Sequence, residues 1–388
     1  MAKNIKETLL STLENGKETL ENIKVMRNVS DDKVKSYNIA DKGLESLHPK
    51  KLELRVSEII DTNKEAKIIR FVSTTGYLPP FEAGQYINIF TKLDNILTTR
   101  PYSISSSPNQ RAYYEITVAR IQDGFVSDYF LDKVKVDDIF EASSPSGTFR
   151  DQKAFHKAKA LYLGGGSGIT PLLSMIRDNI DLDTNKDMIL IYGCRNEASA
   201  LYHEYFQVLA KSNPNFKYHL VVSDKNTDYK GKIGFIDANV IKELAPDYHE
   251  RTTYICGPLI MNEFCHKELE SLNVPIKQIR REVFGNRKDM HNEDNWPKDI
   301  LPNTPFNIKV NDTIIQGNSS DSLLTTLEKN KVRINVCCRS GECSLCRVKL
   351  VSGNIYLAKG ALLRYADEKY GYVHSCKAFP ISDLEILI

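Results

Sequence analysis

From residue 52 apolar and polar positions alternate. Leu52, Leu54 and Val56 take every second place, and the runs Lys67-Ile-Ile-Arg-Phe-Val72, Tyr86-Ile-Asn-Ile-Phe90 and Tyr113-Tyr-Glu-Ile-Thr-Val118 follow. Period-two alternation places the apolar side chains on one face of a strand. Short strands punctuated by glycine and proline predict an antiparallel β-barrel. Between 158 and 285 the pattern changes. Apolar runs such as Ala160-Leu-Tyr-Leu163, Met188-Ile-Leu-Ile-Tyr192, Leu220-Val-Val222 and Thr253-Tyr-Ile-Cys256 alternate with helical stretches such as Leu172-Leu-Ser-Met-Ile176. That order is the signature of a parallel α/β sheet. A third pattern begins at Phe306, with a hairpin over 306–310 and 313–315 and a helix over 322–329, and it suits a small β-grasp domain. Upstream, Ile5, Leu9 and Leu13, then Leu20 and Ile23, recur at helical spacing in a polar stretch.

The predicted organisation is multidomain: a helical N-terminal extension (1–48), a β-barrel (49–152), an α/β domain (153–285), a charged, proline-containing linker (286–304) and a β-grasp domain (305–388). A length of 388 residues agrees, because it exceeds one ordinary core. Trp296, the sole tryptophan, falls in the linker as an anchor or a docking contact. The extension reads as helix packed on the body or in part disordered, with a partner-docking element as the alternative.

Charge removes some function classes. The net charge is +2, which gives no basic field for nucleic acid. Nine basic and eight acidic residues nearly cancel over 1–50, against a membrane-surface role. No apolar run approaches the roughly 18 residues of a membrane span, and the start has no secretory hydrophobic segment. Five of the eight cysteines lie between Cys337 and Cys376, a metal distribution rather than a disulfide framework. A reducing cytoplasm is the expected compartment.

Cys338, Cys343 and Cys346 stand in a C-x4-C-x2-C frame, and Cys376 follows after 29 intervening residues. This is the plant-type [2Fe–2S] spacing, with four thiolates on two irons. Gly341 suits a loop that wraps closely around inorganic sulfur. Cys337 is out of frame and reads as a small buried hydrophobe. A four-cysteine zinc site is the alternative, but zinc ribbons pair two C-x2-C knuckles and this chain has one.

Three further stretches carry candidate chemistry. Arg100-Pro101-Tyr102-Ser103-Ile-Ser-Ser106 supplies a guanidinium for a pyrophosphate, a ring to stack on a flavin and a hydroxyl for a ring nitrogen. Downstream of Thr117 and Val118, the run Asp123-Gly124-Phe125-Val126-Ser127 offers a second phosphate element at a helix start. Gly164-Gly165-Gly166-Ser-Gly168-Ile-Thr170-Pro171 turns from strand into helix, with Thr170 fitting the N-cap and Pro171 the first helical position. It departs from G-x-G-x-x-G yet still lets backbone approach a pyrophosphate at a helix N-terminus. Gly193-Cys194-Arg195 and Cys256-Gly257-Pro258 end two strands, where ligands of such sheets bind.

Together these motifs resemble the ferredoxin–NADP reductase superfamily, in particular its three-module members with a C-terminal ferredoxin domain, such as the reductases of phthalate dioxygenase, phenylacetyl-CoA epoxidase and hybrid cluster protein. The resemblance rests on Arg100-x-Tyr102-Ser103-x-x-Ser106, Gly124-x-x-Ser127, Gly164-Gly-Gly-x-Gly168-x-Thr170-Pro171, Cys256-Gly257-Pro258 and Glu282-x-Phe284, and it covers residues 50–388. It implies that Arg100 binds flavin phosphate, Tyr102 packs on the flavin and Ser103 bonds the reactive ring nitrogen. Pro101, Ser106, Thr117, Val118, Gly124, Phe125, Val126, Ser127 and Phe284 complete the flavin site. Residues 164–170 hold the nicotinamide pyrophosphate, with Arg195, Asp224, Gly257 and Pro258 around the dinucleotide. Cys256 faces the nicotinamide, and Glu282 lies near the flavin edge. Ser344 departs from the glycine that some of these reductases carry.

The implied activity is an NAD(P)H oxidoreductase that sends electrons singly from flavin through a [2Fe–2S] cluster to a redox protein. FAD is expected, with FMN as the alternative. NADH is expected over NADPH because Asp224 stands where phosphate-binding relatives carry arginine, although Lys225 is available to compensate. The competing reading is an electron-relay subunit of a larger complex, like the dihydroorotate dehydrogenase electron-transfer subunits.

Overall fold

In the computed structural model of the chain, the described residues are 17, 18, 21, 25, 47, 49–63, 65–93, 96–121, 125–152, 155–225, 228–284, 290–293, 295–332, 334–336, 339–341 and 344–388. They fall into two compact units, Met1–Lys50 and Lys51–Ile388. In the first, Lys17, Glu18, Glu21, Val25 and Leu47 are helical.

The second unit begins with β1 (Lys51–Asn63), β2 (Ala66–Ser73), β3 (Tyr86–Leu93), β4 (Ile96–Ser103), β5 (Tyr114–Ala119), helix α1 (Phe125–Asp132) and β6 (Ile139–Ser143). The strands form an antiparallel sheet in the order β4-β3-β6-β1-β2-β5. A bridge between Ile104 and Ile116 brings its two ends together, as in a near-closed barrel. The alternation read along Leu52, Leu54 and Val56 is the inward face of β1, and all three are buried. Helix α1 caps this core with Phe130, which stacks on Phe140 at 5.2 Å between ring centroids.

The α/β layer comprises β7 (Lys159–Gly165), α2 (Ile169–Asp181), β8 (Asp187–Cys194), α3 (His203–Ser212), β9 (Phe216–Val222), β10 (Lys232–Ile233), α4 (Ala238–Leu244), β11 (Arg251–Pro258), α5 (Leu259–Ser271) and β12 (Ile279–Phe284). All six strands are parallel, in the order β10-β9-β8-β7-β11-β12. Buried on both faces, β7, β8 and β11 need continuous apolar runs rather than alternation. The chain leaves β7 toward β8 on one side and returns as β11 on the other. A topological switch point therefore lies between β7 and β11, and a crevice opens at their carboxyl ends.

The last layer has β13 (Pro305–Val310), β14 (Thr313–Asn318), α6 (Leu323–Lys329), β15 (Arg347–Ser352), β16 (Ile355–Leu357), α7 (Tyr365–Lys369), β17 (Tyr372–His374), β18 (Ala378–Pro380) and β19 (Leu384–Leu387). Five strands form a mixed sheet, β14-β13-β19-β15-β17, with β13 and β19 parallel. Ser322 caps α6 by accepting from the Thr325 amide. Trp296 serves as an anchor. It is buried 5.1 Å from Tyr356, its indole N–H donates to the Ile300 carbonyl at 2.9 Å, and Met290, Ala358 and Phe379 complete its cluster. An indole in such a place contributes about 3 kcal/mol, on the scale of large-to-small core changes.

One local expectation is corrected. Helix α2 starts at Ile169 after a 3₁₀ turn over Gly166–Gly168, so Gly168 rather than Thr170 is its N-cap. Thr170 lies inside the first turn, donating its hydroxyl to the Ser167 carbonyl at 2.9 Å, and Pro171 is the third helical residue rather than the first. The tight glycine turn carries the chain into helical geometry two residues earlier than a threonine cap would.

Candidate functional site

The crevice is built from two chain segments pressed together. Register pairs Cys256 of β11 with Gly164 of β7 on one side and with Glu282 of β12 on the other. A Cβ on Gly168 would stand 2.3 Å from the Cys256 carbonyl oxygen, and one on Gly257 would stand 3.1–3.2 Å from Gly165 backbone atoms. Only side-chain-free residues let these two backbones meet. Gly166 adopts a φ of +52°, and its carbonyl accepts from the Tyr192 hydroxyl at 2.9 Å, which pins the turn. In front of it lies a mostly apolar cavity of about 560 Å³, lined by Gly165, Arg195, Ser223, Phe235, Pro258 and Met261 among others. Asp224 is held next to this lining by its amide, which donates to the Arg195 carbonyl at 2.9 Å. An amide-rich turn, an apolar cavity and a helix N-terminus fit a dinucleotide.

Cys256 is fully buried near the carboxyl end of β11, with its Sγ 3.8 Å from Glu282 Oε2. Burial first, and the Glu282 carboxylate second, hold the thiol well above its usual pKa. It therefore stays neutral where an ordinary thiol ionises, and it offers a small polarizable contact rather than a thiolate. Flavin reduction by NADH is expected to show no titration near about pH 8.5. A step at that pH that vanishes in Cys256→Ala would contradict this.

β4 presents the flavin-type motif. Arg100, Pro101, Tyr102 and Ser103 pair with Ile89, Asn88, Ile87 and Tyr86 of β3. Ser103 is buried, and Tyr102 packs against Phe130 at 5.6 Å. Arg100 Nη1 donates to Thr98 Oγ1 at 2.7 Å and to the Thr99 carbonyl at 2.8 Å. Burial, then the nearby Arg339 guanidinium, lowers its pKa to about 10. The Thr99 hydroxyl is buried and has no partner among the described residues. A desolvated cation short of counter-charge beside an unpartnered hydroxyl fits a phosphate group.

The other predicted flavin residues spread around this strand. Ser106 is buried, its hydroxyl accepting from the Glu115 amide at 3.3 Å and its carbonyl from Ser174 of α2 at 2.8 Å. The Thr117 hydroxyl is bonded to that of Tyr202 in the α/β layer. Val118 and Val126 point into the barrel core, so only their backbones are available to a ligand. Ser127 Oγ accepts from the Ile121 amide at 3.2 Å. Gly124 and the side chains of Phe125 and Phe284 lie outside the described residues.

Sequence reading missed the joint between barrel and α/β layer. Glu115 is buried between Arg70 Nε at 3.0 Å and Arg177 Nη1 at 2.7 Å, and Arg177 also donates to the Ser105 carbonyl at 2.8 Å. The arginines stand 45 and 62 positions from Glu115, so no local pattern announces the cluster.

In the β-grasp layer Cys346 and Cys376 are buried together with Leu324. A hydrogen bond from Cys376 pulls the Cys346 thiol below its usual range. The Cys346 carbonyl accepts from the Ser375 hydroxyl at 2.7 Å and from its amide at 3.1 Å. His374, buried and unpredicted, ties the loop from inside: its Nδ1–H donates to the Gly341 carbonyl at 2.8 Å and its Nε2 accepts from Ser344 Oγ at 3.0 Å. Gly341 has a φ of +85°, and a Cβ there would meet Lys377 Cγ at 2.7 Å. Arg339 and Ser344 take φ values of +55° and +58°, a strained choice for side-chain-bearing residues that the surrounding bonds must hold. At Ser344 a glycine would hold this backbone without strain, and the bond to His374 supports the serine. Two adjacent buried thiols in a tied loop fit thiolate ligation. Cys337, Cys338 and Cys343 lie outside the described residues.

Comparison with known proteins gives the same three layers. The oxidoreductase FAD-binding domain family matches residues 53–150, the oxidoreductase NAD-binding domain family 162–267, and the 2Fe-2S iron-sulfur cluster binding domain family 306–380. The glycine betaine monooxygenase reductase subunit of Pseudomonas aeruginosa is 24% identical over 345 residues, covering 86% of this chain and 94% of that protein. NADH oxidoreductase HCR of Escherichia coli K12 is 29% identical over 309 residues, covering 79% and 88%. The structure of phthalate dioxygenase reductase superposes with a TM-score of 0.63 at 25% identity, covering 87% of this chain and 97% of that one. Among the described residues no helix is long and apolar enough to cross a membrane. The chain belongs to the ferredoxin–NADP reductase-like oxidoreductases that join FAD- and NAD-binding domains to a C-terminal [2Fe–2S] ferredoxin domain.

Proposed function

We propose that this chain is the NADH-dependent reductase of a partner metalloprotein or oxygenase. When bound, the flavin takes an electron pair from NADH and the [2Fe–2S] cluster carries single electrons onward. The chain's own residues set the geometry. The amides of the turn at 164–168 and the N-terminus of α2 receive the pyrophosphate, and the meeting of Gly168 with Cys256 fixes how far β11 reaches under the nicotinamide. Cys256, as a neutral thiol, and the Glu282 carboxylate flank the place of transfer, with no thiolate charge added. Arg100 and Thr99 take the flavin phosphate, while Ser103 and Tyr102 orient the ring. Cys338, Cys343, Cys346 and Cys376 hold the cluster, and His374 braces their loop. One observation carries the reading: the cluster loop touches the flavin strand, with Arg339 Nε 2.7 Å from the Thr99 carbonyl.

Asp224 beside the dinucleotide cavity favours the ribose hydroxyls of NADH and repels the 2′-phosphate of NADPH. The concentration of cysteines around the cluster fits a reducing cytoplasm. The isolated chain, mixed with either nucleotide and with ferricyanide or cytochrome c, tests the proposal. It should reduce both acceptors, with kcat/KM for NADH about tenfold or more above that for NADPH, the factor expected of one repelled group. A preference for NADPH would overturn the selectivity, and no turnover by the isolated chain would favour a relay subunit.

A further inference from the structure

β4 ends its sheet order, and among the described residues β3 is the one strand paired with it along 96–103. Such an edge leaves backbone groups open to another segment. The β-grasp layer uses it. Arg339 Nε donates to the Thr99 carbonyl at 2.7 Å, and its Nη2 donates to Thr98 Oγ1 at 2.9 Å. The Thr98 hydroxyl donates to Glu328 Oε1 of α6 at 3.2 Å, and Glu328 pairs directly with Arg339. Since Arg100 also donates to Thr98 Oγ1, this buried hydroxyl uses its one donor and both acceptor positions. Arg339 directly follows Cys338, and its left-handed backbone has to be held by these contacts. The group gathers two guanidinium ions against one carboxylate, and both guanidinium ions draw on the same two acceptors, Thr98 Oγ1 and the Thr99 carbonyl.

We propose that Arg339, Glu328 and Thr98 form an interdomain clasp that positions the cluster loop on the flavin strand, and that an anionic flavin phosphate at Arg100 tightens it. The inference rests on the reading that Arg100 receives that phosphate. A phosphate at Arg100 offsets the second positive charge, so Arg339 keeps its bonds to Thr98 and Thr99 with less repulsion from the neighbouring guanidinium. Coupling of this kind is reciprocal: if flavin closes the clasp, an intact clasp strengthens flavin binding. Arg339 is thus a positioning residue that acts through the placement of the loop.

The full chain carrying its cluster, with and without FAD, tests this. Amide exchange across 323–329 should slow when FAD is added. Arg339→Ala should weaken FAD binding about fivefold, within the range of ordinary coupling between sites. After NADH is mixed in, the same variant should delay cluster reduction about tenfold relative to flavin bleaching, as expected when a reacting pair is misplaced by a fraction of an ångström. Arg339→Lys should recover part of both losses, because it restores the charge without the forked geometry. If Arg339→Ala fails to assemble the cluster, Thr98→Val decides the matter from the flavin strand, with the cluster loop unaltered. Equal FAD affinity and an equal cluster phase in the variant that assembles, or exchange indifferent to FAD, would overturn the clasp. Failure of the wild-type chain to bleach its flavin with NADH would instead overturn the functional reading beneath it.

Discussion

Alanine at Gly168 is expected to raise the KM for NADH by about 100-fold, the scale of an ångström-sized misplacement at a binding site. The added Cβ would stand 2.3 Å from the Cys256 carbonyl oxygen and 2.5 Å from Gly257 Cα. These are backbone atoms of a central strand paired on both sides, so relief requires moving the glycine turn, β11 or both. Overpacking of this kind costs about 3 kcal/mol of stability. A substitution at Gly166 meets nothing within 4 Å and faces only its φ of +52°. That costs about 1 kcal/mol. Thermal midpoints of the two variants should therefore fall unequally, with Gly168→Ala the lower. An unchanged KM in Gly168→Ala would show that the turn and β11 do not form one nucleotide site.

Serine at Cys376 is expected to remove the iron–sulfur signal and nearly all reduction of cytochrome c while sparing ferricyanide. Cys376 is buried against Cys346, so the substitution puts a harder, less readily ionised hydroxyl where a thiolate is needed. The loss should exceed the about 10–100-fold typical of a change behind a metal ligand. Ferricyanide is small enough to reach the flavin directly. Cys337→Ser, out of the ligand frame, should keep the signal. If Cys376→Ser still reduced cytochrome c at the wild-type rate, electrons would leave by another path.

Much of the architecture was legible because it is written in local periods. The alternation at Leu52, Leu54 and Val56 is one face of β1, and the unbroken apolar runs of β7, β8 and β11 are strands covered on both sides. The glycines at 164–168 marked the turn, because few other sequences let backbone approach backbone so closely. They did not reveal that Gly168 faces Cys256 from 88 residues away in the chain. Long-range polar partnerships were illegible for the same reason. Glu115 between Arg70 and Arg177, His374 inside the cluster loop and Arg339 on the edge of β4 are all created by the fold. Thr170 was misread because a threonine before proline is a good cap, and only the preceding 3₁₀ turn shows the helix already under way. Trp296 carried too little local context to separate an anchor from a docking contact.

Electron flow from NADH through flavin to a [2Fe–2S] cluster within this one chain has a direct signature. Anaerobic addition of NADH to the intact protein, followed by flavin absorbance and electron paramagnetic resonance, tests it most directly. The expected result is about two iron and two acid-labile sulfide per chain, bleaching of the flavin, and a rhombic signal that appears only after bleaching begins. Full bleaching with no iron–sulfur signal, or zinc in place of iron and sulfide, would contradict it.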